Sequence, residues 1–425
     1  MDILLAVASV GMLFFLSVIE YAEYKSILTP FNVLAWPYFV IVLFVNLLGT
    51  HMGYYAVSSR SILFVMMNLL VFWLAGQCVW LILRGRATVN HNRAVQSFIR
   101  RNYFTLSLVL WIATLAGVFR VISLVSEMGI QGIGTEEFSV RYGSGLLAHV
   151  SIWGYPSFVL LALAPKLTGK RIILLPLTLM AATIMVSQVK YHIIVPFLAI
   201  FYLAILSRTK VLNIKQTVVT VIALFLLFAT AYLIQFSTRL GLRAALSPSS
   251  LGFIARWLLN YIAAGPIGLQ YYLDGFGLSA PWWGILAVPL NIYLFLSGGS
   301  DYVGVQVGPG FVPISTTLSA NVGTLFGPLY VYSGTQGTIL FMVLLGATAY
   351  TIYNLSLRKV GIVPKLLSAE ILAFLTLGFF GSYFGLVLPW EWAVSAVVVP
   401  AIAEFATRAV LVRRRQQVYK GEGKK

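Results

Sequence analysis

Apolar runs about one bilayer thick recur along almost the whole chain, separated by short polar turns and not by strand-like alternation. A helix needs about 20 apolar residues to cross the hydrocarbon core. On that measure the runs predict spans near residues 3–19, 33–50, 61–83, 103–125, 145–165, 172–188, 193–207, 217–236, 333–355, 366–386 and 390–411. The expected fold is all-α and polytopic, with about 11 transmembrane helices in a single membrane-embedded domain over residues 1–425. The first run lacks a basic start and a small-residue cleavage site, so it reads as a retained helix and not as a removed signal peptide.

Composition agrees with the pattern. With 60% apolar and 10% charged residues the chain cannot furnish the polar surface of a soluble globule. The net charge of +17 matters through its placement. The stretch "RGRATVNHNRAVQSFIRR", residues 84–101, carries Arg84, Arg86, Arg93, Arg100 and Arg101 with no acid, which marks it as cytoplasmic. Alternating the spans puts 166–171, 208–215, 358–365 and the basic tail 412–425 on the same side, together most of the 29 lysines and arginines. Charge placed this way implies no nucleic-acid partner. The lone Cys78 lies inside an apolar run, so no disulfide framework or thiol pair is expected.

The same topology leaves residues 127–144 as a small outer loop and 237–332 as one long outer-face segment. The latter far exceeds ordinary connection lengths, which makes it a functional region by default. It is also too apolar for a free loop. "RWLLNYIAAGPIGLQYYLDG" (256–275) predicts an amphipathic helix broken at Gly265-Pro266, and "PWWGILAVPLNIYLFL" (281–296) a re-entrant or interfacial piece. "SANVGTLFGPLYVYSGTQG" (319–337) puts a polar stretch, broken by Gly and Pro, at the mouth of a span. Non-helical backbone at membrane depth must line a cavity or be buried in protein, so this stretch points to an outer cavity. The Gly323/Gly327 and Gly381/Gly385 spacings are of the kind that lets elements approach closely.

"NYIAAGPIGLQYYLDG" followed by "NVGTLFGPLYVYSGTQG", on a chain with a "SILTPFNVLAWPYFV" start, resembles the oligosaccharide repeat-unit (O-antigen) polymerases, the Wzy-type family. "GSGLLAHVSIWGYPSFVLLALAP" and "VSQVKYHIIVPFLAI" extend the resemblance over most of the chain. One departure stands out: many relatives read Tyr-x-Asp-x-Gly after the Asn-x-x-Thr piece, and Tyr332 occupies the acid's place here. The resemblance implies a GT-C-like membrane glycosyltransferase, metal-independent, inverting and without a cofactor, in the inner membrane of a bacterium. It implies polyprenyl-diphosphate-linked oligosaccharide as both donor and acceptor. Membrane lipids, a chain-length regulator and a flippase would be its partners.

That chemistry needs cations to hold a diphosphate and a base to take the acceptor hydroxyl proton. The basic residues that fall on the outer side are Arg60, Arg120, Arg141, Lys190, Arg239, Arg243 and Arg256. Arg256 leads as the leaving-group ligand, with Asp274 and His192 as bases. Arg141, Lys190, Arg239, Arg243, Asn321, Thr324 and Tyr261 are the substrate-binding candidates, and Arg60 is the cation least implicated. Each has a plain alternative. The arginines snorkel to lipid phosphate; Asp274 and Asp301 are turn residues; His192 and His149 are hydrogen-bonded at an interface. Glu136 and Glu137 pair with Arg141, and Glu404 with Arg408. Trp257, Tyr261, Tyr271, Tyr272, Trp282 and Trp283 form an interfacial belt.

No phosphate-binding Gly-rich loop, zinc-type His or Cys pair, or Asp-x-Asp appears, so no metal is expected, and "GIQGIG" (129–134) does not follow a strand. An O-antigen ligase is the nearest enzyme alternative. A lipid-linked oligosaccharide flippase or secondary transporter is the other class, because transporters also place charges in the membrane. That class calls for paired repeats with interrupted helices, and the chain instead has one asymmetric outer segment.

Overall fold

The computed structural model describes residues 2–83, 92–207, 214–275, 287–299, 311–358 and 361–422. In chain order the helices are α1 (Asp2–Tyr24), α2 (Pro30–Leu47), α3 (Ser59–Leu83), α4 (Asn92–Met128), α5 (Glu136–Tyr142), α6 (Leu146–Trp153), α7 (Tyr155–Leu161), α8 (Ala164–Thr168), α9 (Leu174–Val186), α10 (Lys190–Leu206), α11 (Ile214–Leu240), α12 (Leu242–Ala245), α13 (Pro248–Leu273), α14 (Ala287–Ser297), α15 (Phe326–Leu357), α16 (Val363–Thr376) and α17 (Val387–Glu422). Between α14 and α15 a short antiparallel ladder joins β1 (Val312–Pro313) to β2 (Ser319–Ala320), with Val312 opposite Ala320.

Among the described residues seven helices are long and apolar enough to cross a membrane: α1, α2, α3, Ala94–Met128 of α4, Val218–Leu240 of α11, α15, and Val387–Val410 of α17. The pair Glu136–Tyr142 and Leu146–Leu161, bent by 71°, adds an eighth if it is counted as one broken span. The apolar windows of α1 and α11 bury only 22% and 17% of their residues in protein. Phe14, Phe15, Leu226 and Ile222 face outward. Such surfaces are unstable in water and natural in lipid. The protein is an all-α polytopic membrane protein.

Local sequence sets several boundaries. Thr29 caps α2 by accepting the Asn32 N–H at 3.4 Å, with Pro30 at the first helical position, where its missing donor is harmless. Thr135 caps α5 through the Phe138 N–H at 3.1 Å. The expected 11 spans are not reached among the described residues, because the predicted spans 172–188 and 193–207 are the shorter apolar helices α9 and α10. Three further expectations need correction. The predicted span 366–386 stops being an α-helix at Thr376, because Gly378 gives its carbonyl to the Leu325 N–H at 2.6 Å and a bridge joins Gly381 to Thr324. The predicted span 145–165 is broken into α6, α7 and α8, and a Cβ on Gly154 would strike Ala113. The predicted break at Gly265-Pro266 is absent, and α13 runs through it.

The chain divides into two compact units. The first comprises Met1–Ala87, Gly252–Asn354 and Ile371–Pro389; the second comprises Thr88–Leu251, Leu355–Glu370 and Trp390–Lys425. In the first, α1, α2 and α3 pack together, and α15 presses on α3 where a Cβ on Gly346 would meet the Phe72 carbonyl and one on Gly76 the Tyr350 ring. Between them Tyr350 donates to Glu20 at 2.7 Å, and Gln77 donates to Glu20 and Glu23 at 3.3 and 3.0 Å. Such partners offset part of the cost of placing a carboxyl inside a helix bundle. In the second unit α4 is the central element, against which α6, α7 and α9 pack.

Candidate functional site

The part of the long segment from Gly252 onward gives the first unit a helix pressed onto irregular backbone. A Cβ on Gly265 would collide with the Phe379 carbonyl, and one on Gly268 would sit 2.5 Å from the Val322 carbonyl. Further along α13, Tyr272 lays its ring over Gly323 and Gly327. The glycines and Pro266 therefore mark close packing where the sequence suggested a break. Thr324 adopts φ +49 and accepts the Phe326 N–H at 3.2 Å, which starts α15. The Asn-x-x-Thr stretch is thus a wall built against α13. Asn321 stays exposed on it, while Thr324 is fully buried with its hydroxyl committed to backbone.

Onto the same helix docks the α2–α3 connection. Gly53 turns the chain at φ +89, Tyr54 bridges to Ser315, and Tyr55 donates its N–H to Ile314 at 2.9 Å. The Tyr54 hydroxyl donates to Asn260 Oδ1 of α13. Arg60 reaches Asp274, just past the end of α13, at 2.8 Å. Arg256, one turn before Asn260, is exposed and has no ion pair among the described residues. Burial pushes the Tyr54 phenol above its ordinary value, and the positive Arg256 draws it part of the way back. The Tyr271 phenol is raised too, by burial first and then by Tyr55 and the Asp274 carboxylate. Phe253, Trp257 and Tyr261 follow at i+4 steps, ring centroids 5.7 and 5.8 Å apart, ending on Phe380 at 5.4 Å. Among the described residues the surface so formed offers a guanidinium without a carboxylate, a carboxylate with its own arginine, and an aromatic face.

In the second unit Arg141 pairs with Glu127 and Glu137, both at 3.0 Å, and Arg120 donates to the Arg141 and Ser144 carbonyls. His149, near the start of α6, pairs with Glu391 at the start of α17. Its partner carboxylate is only 19% exposed against 46% for the imidazole, so the histidine is held from behind and open in front.

The model of a family of unknown function, DUF6337, matches residues 53–399. The chain belongs to the DUF6337 family. No curated protein and no solved structure matches it significantly. The DUF6337 region runs from the α2–α3 connection into α17, so it contains Tyr54, Arg60, Arg256, Asn260 and Asp274, and also the His149–Glu391 pair.

Within the DUF6337 region the predicted site residues divide between the units. Arg256, Asp274, Tyr261, Asn321 and Thr324 belong to the first; His192, Arg141, Lys190, Arg239 and Arg243 to the second. Arg239 and Arg243, on the last turn of α11 and on α12, are exposed and have no ion pair among the described residues. His192 is buried in α10, which Lys190 opens, and nothing is described of the lysine side chain. Arg141 is engaged by two acids, Glu137 as expected and Glu127 in place of the expected Glu136, which has no ion pair to it among the described residues. Asp301, Trp282 and Trp283 lie outside the described residues. Sequence reasoning missed the part played by Arg60, the tie between Tyr54 and Asn260, and the His149–Glu391 pair. Only the isolated polar residues in apolar surroundings signalled them. Among the described residues no group of three or more His, Cys, Asp or Glu side chains is placed to hold a metal ion.

Proposed function

We propose that this protein is a membrane-embedded glycosyltransferase that joins polyprenyl-diphosphate-linked oligosaccharide repeat units at the outer face of a bacterial inner membrane. On this reading its architecture is GT-C-like, and a flippase and a chain-length regulator work beside it. The observation that carries the reading is Arg256: exposed, without a carboxylate among the described residues, and one helical turn before the Asn260 that fixes Tyr54. A guanidinium left uncompensated beside ordered polar groups suits a diphosphate.

An acceptor hydroxyl oxygen attacks the anomeric carbon of the donor sugar. The new glycosidic C–O bond forms as the C–O bond to diphosphate breaks, polyprenyl diphosphate leaves with the electron pair, and the configuration inverts. Arg256 holds the diphosphate as its negative charge grows, the phase in which such contacts count most. Asp274 takes the hydroxyl proton. Its bond to Arg60 is exposed at 61% and 47%, and such pairs are weak enough to exchange for a substrate. Trp257 and Tyr261 offer faces for sugar rings, and the exposed Asn321 a hydrogen-bonding amide.

Reconstituting the full chain with a defined polyprenyl-diphosphate oligosaccharide tests this. A ladder of products spaced by one repeat unit is the expected result. Transfer of a single block to a foreign lipid core identifies a ligase instead, and translocation without new bonds identifies a transporter.

A further inference from the structure

A cation-lined recess lies in the second unit, remote in sequence from Arg256 and Asp274. A cavity of about 270 Å³ is lined by Arg100, Tyr103, Leu167, Thr168 and Lys170. Two elements build it. Arg100 and Tyr103 stand one turn apart on α4, Leu167 and Thr168 end α8, and Lys170 lies in the turn after it. Arg100 donates through Nε and Nη2 to the Leu167 carbonyl at 3.1 and 2.9 Å, which fixes the guanidinium plane and leaves its other N–H groups unused by that bond. Gly169, at φ +71, reverses the chain so that Lys170 returns over α4, where its Nζ sits 4.4 Å from the Tyr103 ring centroid. The Tyr103 hydroxyl is buried with no hydrogen-bond partner among the described residues.

Sequence reasoning counted Arg100 and Lys170 only as markers of the cytoplasmic side. Geometry adds that the fold drives two like charges onto one recess without a carboxylate in its lining. Neighbouring Arg101 is different, since Glu404 takes it at 3.2 Å and Arg408 at 3.5 Å completes that cluster. Like charges converge at a cost unless an anion shares the space. A pre-oriented guanidinium, an ammonium seated over an aromatic ring and a spare phenol match the tetrahedral oxygens of a phosphate group. The volume suits a headgroup rather than an oligosaccharide. We infer that the recess between the start of α4 and the turn after α8 is a phosphate-binding site, fed either by an anionic phospholipid headgroup or by a soluble phosphate.

The test uses the delipidated full chain in detergent, titrated with phosphatidylglycerol and watched by native mass spectrometry. The expected result is one saturable lipid, with phosphatidylcholine failing to substitute. In Arg100→Gln/Lys170→Gln that lipid should bind about tenfold more weakly or worse, the scale of losing charge-assisted bonds. Tyr103→Phe should weaken it a few-fold while keeping both cations. If the double variant does not fold, Lys170→Gln alone, at an exposed turn position, carries the comparison together with Tyr103→Phe. Displacement of the lipid by inorganic pyrophosphate points to the soluble source, and its failure to displace points to the lipid. Equal phosphatidylglycerol binding by wild type, Lys170→Gln and Tyr103→Phe would overturn the site.

Discussion

Arg256 is where the proposed chemistry is most exposed to a single substitution. If its guanidinium holds the leaving diphosphate, Arg256→Ala should lower the polymerisation rate on the order of 10² to 10³, the scale for a charge-assisted bond that strengthens in the transition state. Arg256→Lys should recover only part, because a point charge cannot reproduce a planar fork. A snorkelling arginine predicts near-normal rates for Lys. Rates at matched membrane expression decide between the two. The base is tested in the same assay. Asp274→Asn should cost about 10² or more, whereas His149→Gln, which breaks a pair in the other unit, should keep most of the activity. The reverse order would move the base to the His149–Glu391 pair. What the sequence could convey about these residues depends on distance along the chain. Glu137–Arg141 and Glu404–Arg408 are helical i, i+4 neighbours and were readable. Arg60–Asp274 and His149–Glu391 lie 214 and 242 positions apart, and no local rule links them.

Among the elements, α13 and the wall it leans on organise the first unit. Apolar length alone located most of the spans, because a lipid-facing helix must be apolar over its whole crossing. The same signal failed at 366–386, since a buried irregular stretch is as apolar as a helix. The Gly378 carbonyl and Leu325 N–H there satisfy each other across elements, a non-local solution that composition does not reveal. Gly265-Pro266 misled for a related reason: the pair looks like a breaker, but Gly265 is small so that the Phe379 carbonyl can approach. Gly265→Ala should therefore destabilise the protein by roughly 1 to 3 kcal/mol, the usual cost of overpacking. Gly252→Ala, on the same helix with nothing near its Cβ, should not lower the melting temperature. Thermal unfolding in detergent compares them, and equal behaviour would remove the close-approach argument.

On the scale of the whole molecule, the account needs the Arg256 surface to face outward and the basic turns inward. The lone Cys78 makes this accessible to experiment: after Cys78→Ser, single cysteines at Ser249 or Asn321 should label from outside intact cells, and one at Thr168 only after the membrane is opened. Labelling of Asn321→Cys solely from the cytoplasm would invert the topology and with it the proposed site. The central claim is that bond formation and loss of polyprenyl diphosphate are one event, without a metal to balance the charge. The most direct measurement counts both products from the reconstituted protein in excess chelator. The account predicts one polyprenyl diphosphate released for every glycosidic bond formed, at an unchanged rate. Release without new bonds, bonds without release, or activity lost in chelator and restored by magnesium would contradict it.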